Sequence, residues 1–294
     1  MAKLKLFVKI SLLNLLFLCN YNFGQGLDNY DFSKAEYSVD LPKELKEISG
    51  LTIGKNGRVF AHNDEYGMVY ELNPNNGQII KEFQIGSSKI KDDFEDITFV
   101  NDLFYLLNSK GDLLVFPEAD NNEFVIYKKY RTGLNSKYDT EGLCYDKSIN
   151  SLLIASKESV KKSSKKYIFR FDLQNNKLNE EPFLVIDLSK IKKGKKKEEF
   201  KPSAIIKNEK SNTYFILGGK SLALIELNRK SEIINQIELN DKYHFQPEGM
   251  IILKNGDLLI SDEAEKKKHT PDMHWFTVLG PRARAPFSLF CHKP

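Results

Sequence analysis

Five short stretches of the chain share one pattern: a polar residue, then a small residue or Asp, then an apolar residue opening a β-like run. They are EISGLTI around Ser49, FEDITFV around Glu95, TEGLCYD around Glu141, KPSAIIK around Ser203 and FQPEGMIIL around Glu248. Successive members of this column are 46, 46, 62 and 45 residues apart. A period of about 45 residues with strand-like content signals propeller blades rather than a helical solenoid.

The units repeat beyond their first strands. A second strand ends in small or polar residues in RVFAHNDE, LFYLLNSK, SLLIASKE, TYFILGGK and DLLISDE. A third is alternating or apolar in MVYELN, DLLVFP, YIFRFD and LALIEL. A fourth is more polar, as suits an outer edge, in IIKEFQI, FVIYKKY, FLVIDL and IINQIEL. Turn signals such as GKNG, NPNNG and LKNG separate the strands. Four short strands per unit over five units predict an all-β chain, a β-propeller over residues 30–268. A six-bladed ring, with one start illegible, is the alternative. The segment AEYSVDL before Pro42 reads as a strand without a partner. It would close the ring by completing the last blade, which removes exposed edges.

The chain opens MAKLKLFVKISLLNLLFLCNYNFGQG: lysines, an apolar run from Ile10 to Leu18 too short to cross a bilayer comfortably, then small and polar residues. The expectation is a secretory signal peptide over residues 1–24, cut after Gly24. The alternative is lipidation at Cys19, although Leu18 stands where a lipobox places a small residue. Both place the mature chain in the periplasm or cell envelope, free and monomeric in the first case and tethered to a membrane surface in the second. Without Lys3, Lys5 and Lys9 the 44 basic residues become 41 against 40 acidic ones, so +4 becomes +1. A nearly neutral domain has no global electrostatic reason to bind nucleic acid. The runs KESVKKSSKKY and KIKKGKKKEEF lengthen the third interval; they read as solvated loops or as contacts for anionic lipid or polysaccharide. After processing, Cys144 and Cys291 remain, which make neither a disulfide framework nor a cysteine zinc site.

Residues 269–294, HTPDMHWFTVLGPRARAPFSLFCHKP, depart from the pattern. They carry the only Trp, three of the five His and four of the ten Pro, and no strand alternation. The expectation is an atypical tail, either a native terminus or the non-native product of a frame slip after Lys266, Lys267 and Lys268. His274, Trp275 and Cys291 are accordingly expected to stay outside any active site.

With EISGL, HNDE followed by GMVYEL, DDFEDIT, YDTEGLCYD, FKPSAI and QPEGM in order, residues 35 to 265 resemble the SdiA-regulated family of bacterial envelope proteins. More distantly the PEGM, TEGL and SGL starts resemble NHL repeats and the gluconolactonase and senescence-marker propellers. The first resemblance implies a propeller at the cell envelope with no settled activity. The second implies acidic or Asn residues at blade starts holding a calcium ion in the central channel, with lactone or phosphoester hydrolysis in some members.

In a propeller the first strand of each blade is innermost, so Glu95, Glu141 and Glu248 should converge on the central tunnel. Carboxylates so close raise one another's pKa or hold a cation. Calcium is the natural ion, since it takes six to eight oxygens in irregular geometry. Ser49 and Ser203 fill the rest of the ring, and Asn63, Asn108 and Asp262, ending second strands, are expected as a further layer of oxygens, with Asp64 and Glu263 one residue on. Two alternatives stand beside a metal: acids satisfied by backbone N–H groups, and pairing with Lys110, Lys157 or Lys220. His62 is the candidate general base beside this layer; His244 reads as a connector residue. GxSxG, HExxH, P-loop and Rossmann glycine patterns are absent. Two functions follow: a non-catalytic envelope protein that binds a ligand or partner, with calcium in its channel, or a calcium-dependent hydrolase of lactonase, phosphotriesterase or phytase kind.

Overall fold

The computed structural model describes residues 26–159, 163–264 and 270–279. The expected signal peptide, Cys19, the 266–268 lysines and Cys291 lie outside the described residues. No described helix is long and apolar enough to cross a membrane.

The strands form five small sheets, each led by one of the five predicted starts. Blade 1 runs Ile48–Ile53, Val59–Asn63, Met68–Leu72 and Ile79–Ile85, with Phe124–Val125 added in parallel at its outer edge. Blade 2 runs Phe94–Val100, Leu103–Asn108, Leu113–Pro117 and Lys128–Tyr130. Its first hairpin closes on Asn101 and Asp102, both at positive φ (51° and 63°), the requirement of a two-residue turn matched to sheet twist. In blade 3, Thr140–Asp146 and Ser151–Ser156 precede Lys165–Asp172, which pairs with both Lys177–Leu178 and Leu184–Asp187. This doubled outer layer and the lysine-rich connection after it account for the long third interval. Blade 4 runs Pro202–Asn208, Thr213–Gly218, Ala223–Leu227 and Ile233–Glu238.

Blade 5 contains Pro247–Ile252, Leu258–Asp262 and Asp272–Phe276, and Tyr37–Asp40 supplies its outer strand, pairing Tyr37 with Trp275 and Asp40 with Asp272. The N-terminal strand therefore closes the ring. Asp272–Phe276 lies beyond the boundary expected at residue 268, and it is an ordinary third strand rather than patternless tail. Met273 and Trp275 are buried, at 0% and 8% exposure. Four of this strand's five positions are buried, so both faces are covered and no polar alternation marks it.

Five apolar clusters fill the five gaps between neighbouring blades. The aromatic cluster of Phe60, Phe83, Phe94, Phe104 and Phe116 joins blades 1 and 2. Leu51 and Tyr70 meet Leu259, Met273 and Trp275 where blade 5 returns to blade 1. Each blade buries one face against each neighbour, so the ring is complete at five.

Candidate functional site

Every inner strand begins with the same irregularity. The register shifts between Ile48 and Gly50, Phe94 and Asp96, Thr140 and Gly142, Pro202 and Ala204, and Pro247 and Gly249. The skipped residue in each blade is the predicted column: Ser49, Glu95, Glu141, Ser203, Glu248. A bulge leaves its extra residue unpaired and re-aims its side chain. Here the inner strands contact one another around the ring, so all five bulges crowd one mouth of the channel.

The two serines act as stitches. Ser49 Oγ donates to Glu95 O at 2.7 Å and Ser203 Oγ to Pro247 O at 2.9 Å, each crossing to the next blade. The three glutamates lack such bonds to the neighbouring backbone. Burial pushes Glu95 up to about 10, with the Glu141 and Asp93 charges adding to it. Burial raises Glu141 to about 7 against the pull of Lys157, which hydrogen-bonds it. Glu248 is raised well above the ordinary range by burial, then by Glu141 and Glu263. Of the three lysines considered, only Lys157 enters the site. Lys110 stands 3.6 Å from Asp92 at the surface, and Lys220 is exposed.

The expected second layer is displaced by one residue. Asn63 donates to Glu44 O and accepts from Tyr66 N, and Asn108 donates to Asp92 Oδ2 and accepts from Asp112 N. Asp262 accepts from His244 Nδ1 and Phe245 N. All three are turn and connector anchors that do not join the glutamates. Side chains alternate along a strand, so the residue after each points the other way, toward the channel. Asp64 and Glu263 occupy that place, raised by burial and neighbouring acids to about 6 and about 7. Lys157 holds the equivalent position in blade 3.

A third column, two residues before each bulge, was not anticipated: Glu47, Asp93, Asp139, Lys201 and Gln246. Its signal is visible in DDFED and YDTEG. The backbone carbonyls of Glu47, Asp93, Asp139 and Gln246 accept from Asp64, Ser109, Lys157 and Glu263, which fastens the columns together. Asp139, at φ 48°, brings its carboxylate to Glu95 and Glu141; one oxygen from each lies within 4.8 Å of the others. Asp64 Oδ1 is buried without a hydrogen-bond partner. The crowded oxygens of Glu95, Asp139 and Glu141 fit a hard divalent cation that accepts all-oxygen ligation.

His62 does not face this layer. Its ring is fully buried, Nδ1 lies 2.9 Å from Asn63 O, and burial lowers its pKa to about 4. A methyl on Gly50 would sit 2.7 Å from its Nε2. It is packed against Gly50 of its own blade's inner strand.

No family model matches the chain, so the resemblance to the SdiA-regulated family is not confirmed, and no curated protein matches it in sequence. Among solved structures it is similar to the glutaminyl cyclase of Myxococcus xanthus, at 11% identity and a TM-score of 0.57, over 84% of this chain and 97% of that one. It is also similar to the PQQ-bound aldose sugar dehydrogenase of Streptomyces coelicolor, at 9% identity and a TM-score of 0.52, over 84% and 98% of the two chains. At such identities the likeness is one of fold, and the fold is that of a five-bladed β-propeller.

Proposed function

We propose that the protein is an exported, non-catalytic cell-envelope propeller of the SdiA-regulated type, which holds a calcium ion at the acidic mouth of its channel and presents it to an anionic ligand or partner. The observation that carries this reading is the convergence of Glu95, Asp139 and Glu141, with Lys157 as the lysine paired to Glu141. Glu95, Asp139 and Glu141 would hold the ion, and Asp64, Glu248 and Glu263 would add to the acidic charge of the mouth. A bound dication supplies positive charge to a site that otherwise keeps its acids protonated.

The test is thermal melting of the mature protein in excess EDTA and then in added calcium. A ligand that binds only the folded state raises the melting temperature by mass action. The expected result is a calcium-dependent rise that is lost in Glu141→Gln. An unchanged melting temperature across calcium concentrations would refute the cation site.

One observation favours a hydrolase as second reading. Glu141, buried and raised to about 7, is poised as a carboxylate base near neutral pH. Turnover of lactones or phosphoesters by the wild type, abolished in Glu141→Gln with the fold intact, would replace the binding role with a catalytic one.

A further inference from the structure

Blade 5 carries a second cluster, away from the glutamates and built from different chemistry. His244 lies in the connector before the blade, Asp262 ends its second strand, and His274 sits mid-way along its third. Each brings one donor atom to within 4.8 Å of the other two, and all three residues are buried. His244 Nδ1 is 2.7 Å from Asp262 Oδ2, whose partner oxygen accepts from Phe245 N. The His274 ring stands edge-on to His244 at 5.0 Å, with its Nδ1 2.7 Å from Ser38 Oγ and its buried Nε2 3.2 Å from Asp272 Oδ1 but without hydrogen-bond geometry to it.

An independent feature sets the cluster apart from a plain structural pair. His244 Nε2 is buried and has no hydrogen-bond partner, while its side chain is 1% exposed. When Asp262 accepts from Nδ1–H, the opposite nitrogen bears the lone pair. A buried lone pair without a donor is costly. A carboxylate fixing one imidazole nitrogen so that the other can ligate is how metal-bound histidines are oriented. A cavity of about 70 Å³, lined in part by His244, Tyr243 and Asp272, adjoins the cluster.

We infer that His244 and His274, flanked by Asp262 and Asp272, form a binding site for a transition-metal dication of the zinc class. Two imidazoles with carboxylate support suit zinc, cobalt, nickel or copper, whereas calcium takes oxygen alone. The ion ties the connector, second strand and third strand of the closing blade together, and through Ser38 it reaches the N-terminal strand. Its nitrogen ligands set it apart in hardness from the all-oxygen channel mouth, whose Glu263 also lines the adjoining cavity.

The experiment strips the mature protein with EDTA and titrates zinc against a chromophoric zinc indicator, with cobalt absorption as a second readout. One tight equivalent is expected, weakened at least tenfold in His274→Gln and in His244→Gln, and unchanged in Glu141→Gln. Cobalt bound to the wild type should show the visible bands of nitrogen ligation, a readout that needs no variant. The calcium response of the channel should survive in His274→Gln. The proposal is overturned if the stripped, cooperatively melting wild type takes up no zinc, if the double histidine variant binds zinc as the wild type does, or if Glu141→Gln abolishes binding.

Discussion

Glu95 stands where burial and the charges of Glu141 and Asp93 all act in one direction, against the weaker pull of Lys157. Its side chain would ionise near 4.5 in an unfolded chain and near 10 in the folded one. The folded state therefore keeps a proton that the unfolded state has already lost, and stability falls as pH rises across that window. Glu141 and Glu263, raised to about 7, and Asp64, raised to about 6, add to the same slope at its lower end. In EDTA the melting temperature should be highest near pH 5, drop most steeply between about pH 5 and 7, and go on falling more gently to about pH 10. Glu95→Gln, which mimics the protonated acid, should flatten this profile and stabilise the metal-free protein at pH 8 by roughly 1–2 kcal/mol, or a few degrees. Calcium should raise the melting temperature more at pH 8 than at pH 5, because its ligands must shed protons first. A metal-free profile that climbs from pH 5 to 8 would mean that the acids are compensated within the protein. Much of this site was legible in the sequence, since the column of Ser49, Glu95, Glu141, Ser203 and Glu248 is what the bulges present. Asp139 was not, because its aim depends on a left-handed backbone at that one residue, which spacing does not reveal.

At the scale of the element, the bulge explains why Gly follows the column in SGL, EGL and EGM. Behind Gly142 the next inner strand approaches closely: an added methyl would lie 3.0 Å from Ile205 N and 3.1 Å from Ala204 C. Backbone cannot move aside as a flexible side chain can. Gly142→Ala should therefore destabilise the protein by about 1–3 kcal/mol, measured by chemical denaturation with the calcium response retained. A neutral result would show that the blades slide apart without cost. Blade 2 meets the same constraint with Asp96, whose buried carboxylate accepts from Ile97 N at 2.7 Å and from Leu143 N of blade 3 at 2.6 Å. The repeat made the first strands readable, and the strand that escaped notice shows why reading stops. Asp272–Phe276 is covered on both faces and carries a His and a Trp in place of branched aliphatics, so neither alternation nor β-branched composition marks it. The displaced second layer escaped for a related reason. A slip of one residue along a strand reverses the face, and the sequence alone does not fix which of Asn63 or Asp64 ends the pairing.

For the whole molecule, stability rests on closing the ring, and the closure is made by residues far apart in the chain. Tyr37–Asp40 pairs with Asp272 to Trp275, and Glu36 N donates to Trp275 O at 2.9 Å. Ahead of that strand, Leu27, Tyr30 and Phe32 fill the gap between blades 4 and 5, and Leu27 N donates to Glu226 Oε2. The N-terminal segment is thus both the outer strand of one blade and part of the filling between two. A chain lacking residues 1–41 would expose the edge of Asp272–Phe276 and empty part of one apolar cluster. Unpaired edges recruit other strands. The truncated protein should melt over a broader and lower range than the intact chain and elute as a mixture of oligomers in size-exclusion chromatography with light scattering. Adding a synthetic peptide of residues 26–42 should restore a monomer and a sharper transition, because it returns both the strand and the apolar side chains. The channel's calcium response and the blade 5 zinc response would then separate the two sites by position: the peptide carries Ser38, which contacts His274, and none of the residues at the acidic mouth. A truncated protein that stays monomeric and melts as sharply as the intact one would show that three native strands hold the last blade, and that the N-terminal strand contributes no more than an edge.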